Sequence, residues 1–194
     1  MSGRQCRSAT GYSVAELLAV VAVGGVLTAA TVPTLGGARE RLTAHGAART
    51  VAAAFREASA LARLRQAGVG WEVVSAPLSL RLVRDGDRDG VRRDDVDRGV
   101  DLAEAGWRPL GRGVGATVGC SCPDVDGAGR LEAGERGLRF GLSDFVSFSG
   151  RGSASPGTLY LSAGGQATFA VRVLGNTARV RVFEYQDGGG WAER

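Results

Sequence analysis

Between Gly11 and Leu35 the chain reads GYSVAELLAVVAVGGVLTAATVPTL, an apolar run broken by a single acid, Glu16. Val14 to Leu35 is 22 residues, which as an α-helix at about 1.5 Å per residue would reach roughly 33 Å, against a bilayer core of about 30 Å. A carboxylate in such a helix costs about 2.5–3.5 kcal/mol at the bilayer centre, so Glu16 calls for a shallow position or a partner. Arg4 and Arg7 precede the run while Arg39 and Arg41 follow it, so flanking charge does not fix an orientation. A secretory signal peptide, with Leu27-Thr28-Ala29-Ala30 as its small-residue cleavage site, is a competing reading.

The register of a few residues points elsewhere. Gly11, Tyr12, Glu16, Gly25 and Pro33 stand where the N-terminal signature of type IV prepilins and type II secretion pseudopilins has its cleavage glycine, its new N-terminal aromatic, its fifth-residue glutamate and its two helix-loosening residues. The stretch resembles that family, with Tyr12 in place of the usual Phe. The resemblance implies cleavage after Gly11 by a prepilin peptidase, N-methylation of Tyr12 and assembly through Glu16. A plain single-pass anchor would leave this register unexplained.

Beyond the span about 160 residues remain, room for one modest domain with its own core. The formal charge is +4, yet all 24 basic residues are Arg and neither Lys nor Ile occurs, a pattern of genome composition more than of selection for nucleic acid. Of the three cysteines, Cys6 lies in the leader, and Cys120 and Cys122 form a C-x-C pair. An oxidising compartment favours a bridge between them, with free or differently paired thiols as the alternatives.

Residues 1–11 are read as the leader, 12–37 as the hydrophobic transmembrane and assembly helix, and 38–67 as its amphipathic continuation, with apolar residues three or four apart through Val51, Phe55, Ala58 and Ala62. The helix is expected to end near Gly68. From Val69 the period becomes two, with strands at Trp71 to Val74, Leu78 to Val83, Leu138 to Phe148, Thr158 to Leu161, Thr168 to Val173 and Ala178 to Tyr185. The glycine-rich tail after Gln186 is expected to be mobile, with Trp191 able to dock. The predicted class is α+β, a type IV pilin-like long N-terminal transmembrane helix packed on an antiparallel β-rich domain over 68–194.

The second half narrows the resemblance. Val146-Ser147-Phe148-Ser149-Gly150-Arg151-Gly152, Pro156-Gly157-Thr158-Leu159-Tyr160-Leu161, the Gly164-Gly165 turn, Val171-Arg172-Val173 and Ala178-Arg179-Val180-Arg181 are similar to the C-terminal half of the GspH/FimT pseudopilin domain. The likeness covers 11–84 and 138–185. It implies a minor subunit of a secretion pseudopilus or a type IV pilus, a single-pass placement in the inner membrane with the domain on the periplasmic side, and other pilin-like subunits, the peptidase and the membrane as partners. A FimT-like DNA-binding pilin, using Arg172, Arg179 and Arg181 on phosphates, is the alternative.

The insertion at 85–101, DGDRDGVRRDDVDRGVD, has no counterpart in that likeness. Asp85, Asp87 and Asp89 alternate before Gly90, as hard oxygen ligands do in a calcium loop, with Asp94 or Asp95 as a further donor. Val96 stands where an EF-hand has Glu, so the full motif fails, and Asp124-Val125-Asp126-Gly127 is a weaker echo. Solvated Asp–Arg pairing is the plain alternative. No cofactor is required by any motif, calcium being the one candidate. With a lone His45 and no G-x-S-x-G, Walker or H-E-x-x-H pattern, a non-enzyme is expected.

Overall fold

The structure, a computed structural model, describes residues 12–111, 113–141, 143–165 and 167–194, and within 27–35 the backbone alone. It separates into two compact units, Met1–Gly36 and Gly37–Arg194, and helix α1 (Val14–Arg65) contributes to both. Ser13 starts α1: its carbonyl accepts the N–H groups of Glu16 and Leu17 at 3.1 Å, and its Oγ accepts the Glu16 N–H at 3.2 Å, as a serine N-cap does. In the second unit α1 is amphipathic. Ala44, Ala48, Val51, Phe55, Ala58 and Ala62 are buried at helical spacing, while Arg39, Arg49, Arg56, Glu57 and Arg63 face water. The helix ends as a Schellman-type cap: Gln66 takes φ 53° and the Ala67 N–H returns to the Ala62 carbonyl at 3.2 Å.

A hairpin follows, β1 (Val69–Ser75) and β2 (Leu78–Arg84), then α2 (Arg93–Asp97), β3 (Leu102–Ala103), β4 (Arg108–Pro109) and β5 (Val114–Gly115). Next come the ribbon β6 (Cys122–Pro123) and β7 (Arg130–Leu131), then β8 (Leu138–Arg139) and β9 (Phe145–Phe148). The long strands β10 (Gly157–Ala163), β11 (Ala167–Leu174) and β12 (Arg179–Gln186) lead to β13 (Gly190–Glu193). One antiparallel sheet has the order β3-β2-β1-β9, with β4 also on β2; the other runs β13-β12-β11-β10-β5, with β8 also on β10.

The apolar stripe of α1 and residues of both sheets form one core. Phe55 meets Phe148 at 6.1 Å and Phe140 at 6.2 Å between ring centroids, and the Trp71 indole N–H donates to the Ala54 carbonyl at 2.8 Å. Alternation explains the burial of β12: Val180, Val182 and Glu184 are buried on one face, while Arg181, Phe183 and Tyr185 take the other.

Four expectations are corrected. Among the described residues no helix is long and apolar enough to cross a membrane, so the transmembrane helix on a β-rich domain and the single-pass inner-membrane placement are set aside. The layout is instead mostly antiparallel sheet. The arginine-bearing segment 38–65 serves as a core helix, its apolar stripe occupied by the protein's own sheets. The single strand expected over Leu138 to Phe148 is two, β8 and β9, in different sheets, parted at Gly141 with φ 63°. The tail is a strand, not a mobile end: β13 pairs with β12, and the Trp191 indole donates to the Pro123 carbonyl at 2.7 Å.

Candidate functional site

The N-terminal constellation sits in the first unit. Gly11 and the rest of the leader lie outside the described residues, as does the side chain of Pro33. Tyr12 is 83% exposed, and Val14, Leu17, Leu18, Val20, Val21, Val23 and Val26 are 60–76% exposed. Glu16 occupies the first turn of α1, where a negative charge suits the helix dipole, and Ser13-x-x-Glu16 has capping-box spacing. Among the described residues it has no ion-pair partner. A Cβ built on Gly25 would meet nothing within 4 Å, so the chain by itself imposes no steric demand for glycine there. An apolar helical surface exposed at every described position from Val14 to Val26 is uncommon in a soluble monomer.

The acidic insertion is stapled by its own carboxylates. Asp85 is buried; its Oδ1 accepts the Arg88 N–H at 2.6 Å and its Oδ2 the Gly90 N–H at 3.0 Å. Asp101, also buried, accepts the Gly86 N–H at 2.9 Å and the Arg92 N–H at 3.0 Å. Gly86 is needed for this closure, because a Cβ there would lie 1.9 Å from the Val100 carbonyl oxygen. Asp85, Asp87 and Asp89 each place a ligand atom within 4.8 Å of the others, whereas Asp94 stands apart, exposed on α2. The backbone N–H of Asp89 holds Asp87 below the ordinary carboxylate range, and desolvation with the Asp87 contact raises Asp89. The crowded pair can take a cation, but Asp85 is already held by backbone donors.

The register brings Arg172, Arg179 and Arg181 onto one face, Arg172 lying directly opposite Arg181. Two of the three are neutralised. Arg172 lies 3.5 Å from Asp126, and the Glu193 carboxylate, held below its ordinary pKa chiefly by its hydrogen bond to Arg181, forks onto that guanidinium. The second acidic echo is structural too: Asp124 accepts the buried Tyr160 hydroxyl, and Val125 donates its N–H to that oxygen at 3.2 Å. Cys120 and Cys122 are joined by a disulfide with Cα atoms 5.5 Å apart.

No protein-family model, curated protein or solved structure matches the chain. What the sequence reading missed are long-range ion pairs. Glu184, buried on β12, binds Arg41 of α1 at 2.5 Å and Arg194 at 2.7 Å; Glu72, buried on β1, binds Arg81 and Arg93. The signal for Glu72–Arg81 was present in the hairpin, whose alternation makes them cross-strand partners. Nothing local marks Arg41 and Glu184, which are separated by 143 positions.

Proposed function

We propose that the chain is a minor pilin or pseudopilin subunit, cut after Gly11 by a prepilin peptidase and assembled through the apolar beginning of α1 into a secretion pseudopilus or type IV pilus. The role is structural, with other pilin-like subunits as partners. The supporting observation is the helical surface from Val14 to Val26, exposed throughout and carrying one acid, Glu16, that has no ion-pair partner among the described residues. In a bundle of such helices the new N-terminal amine of one subunit meets the Glu16 carboxylate of its neighbour. That pairing removes the penalty of leaving either charge alone in an apolar interior.

Processing gives the direct test. Co-expression of the full chain with a prepilin peptidase, followed by N-terminal sequencing and intact mass, is expected to yield a chain beginning at Tyr12 with one added methyl group. A chain beginning after Ala30 would instead identify a secretory signal peptide and overturn the reading.

A further inference from the structure

The loop after β2 and the turn after β9 line one polar cleft of about 710 Å³. Its serine wall comes from strand register. Ser155 donates its N–H to the Ser147 carbonyl and Ser149 donates its own to the Ser153 carbonyl, both at 2.8 Å, around the antiparallel bridge of Phe148 with Ala154. Directly opposed residues share a face, so Ser147, Ser149, Ser153 and Ser155 form two cross-strand pairs on one side of this ladder. Gly70 and Val91 lie on the same side: a Cβ on Gly70 would stand 3.2 Å from Val91 and 3.4 Å from the Ser147 hydroxyl. A Cβ on Gly68 would stand 2.4 Å from Asp85 Oδ2, so the bare edge at Gly68 and Gly70 lets the 85–91 loop settle beside the serines.

Two arginines complete the lining. Arg151 is the tip of the Gly150-Arg151-Gly152 turn, which closes with the Gly152 N–H on the Ser149 carbonyl at 3.0 Å. The turn is seated on the end of α1, where a Cβ on Gly150 would stand 2.7 Å from the Gln66 carbonyl carbon. Arg88, on the other loop, has φ 73° and is held by its N–H on Asp85 Oδ1 at 2.6 Å. Neither guanidinium has an ion-pair partner among the described residues, and the hydroxyls of Ser147, Ser153 and Ser155 make no hydrogen bond there. The neighbouring acids are engaged, Asp85 by backbone N–H groups and Asp89 by Arg92.

We propose that this cleft binds a phosphorylated sugar. A phosphate monoester carries close to two charges and three acceptor oxygens at neutral pH, which suits two guanidinium forks with hydroxyl donors between them; a carboxylate offers one charge and two oxygens. Serine hydroxyls both donate and accept, as the hydroxyl groups of a sugar ring require of their partners. The volume exceeds what a bare ion fills and lies in the range of small-molecule sites. The cleft lies wholly in the second unit, and the inference does not rest on the assembly proposed above.

The test is isothermal titration calorimetry of the full chain with glucose 6-phosphate, glucose, glucuronate, inorganic phosphate and adenosine 5′-monophosphate. Saturable binding of glucose 6-phosphate is expected, with each of the other four weaker by about tenfold or more. Arg88→Gln and Arg151→Gln each lower its affinity about tenfold, with unchanged melting temperatures because both side chains are exposed. Arg49→Gln, an exposed arginine about 25 Å back along α1 from Gln66, leaves the affinity unchanged. Ser147→Ala combined with Ser155→Ala weakens the sugar phosphate about fivefold and leaves inorganic phosphate unaffected. The proposal is overturned by the absence of saturable binding at millimolar ligand, or by an Arg49→Gln loss equal to that of the cleft arginines. Glucuronate binding as tightly would overturn the phosphate, and the adenosine monophosphate or inorganic phosphate binding as tightly would overturn the sugar.

Discussion

The Tyr160 hydroxyl is buried and serves two partners, donating to Asp124 and accepting from the Val125 N–H. Burial first, and the Asp124 carboxylate second, push its pKa well above that of an ordinary phenol. Tyr160→Phe leaves both partners short and is expected to cost about 1–3 kcal/mol, read as a lower urea midpoint with an unchanged slope. At the acidic loop both Asp85 oxygens already accept backbone N–H groups, so Asp87 and Asp89 are left to supply most of the roughly six to eight oxygens that calcium takes. Micromolar calcium is therefore expected to leave the melting temperature unchanged; a saturable rise would instead make Asp85, Asp87 and Asp89 ligands. Residues differ in legibility for a physical reason. Glu16 stands out because an acid in an apolar run is conspicuous locally, whereas Asp124 resembles a calcium ligand until its hydrogen-bond donor, 36 positions away, is known.

Among elements, α1 and β12 are joined by a charge clamp. Glu184 is held below its ordinary pKa of 4.5 by the Arg41 hydrogen bond first, with Arg194 adding to it. A carboxylate whose pKa is depressed by folding stabilises the native state above its unfolded pKa, and that contribution is lost as pH falls through the folded value. The stability of the native chain should thus decline below pH 4.5, and Glu184→Gln should flatten that acid limb in urea titrations over the same range. An unchanged limb would place the acid sensitivity elsewhere. The alternating patterns at Leu78 to Leu82 and Ala178 to Val182 were legible as strands, but only β12 buries a single face; in β2, Ser79 and Val83 on the second face are buried as well. The split of β8 from β9 was not legible, since it depends on which sheet each half joins. Three consecutive glycines likewise read as disorder, yet they turn the chain into β13, where Trp191 meets Tyr160 and Tyr185 at 5.7 and 5.3 Å.

At the scale of the whole chain, the second unit closes on itself: α1 from Ala44 onward fills a core shared with both sheets. The first unit does not, because its described apolar side chains remain exposed. Amphipathic periodicity made the core half of the helix readable in the sequence. Apolarity without periodicity in the first half suggested lipid, whereas no helix among the described residues is long and apolar enough to cross a membrane. In the proposed filament, other subunits cover that surface and satisfy Glu16. The most direct measurement compares wild-type and Glu16→Ala chains, co-expressed with the peptidase and assembly partners, by the fraction recovered in sheared filaments. The proposed assembly predicts a loss of more than about a hundredfold for the variant, of the order of the about 3–5 kcal/mol that breaking a buried charge pair costs, with the melting temperature unchanged. Equal recovery of the two chains would contradict it.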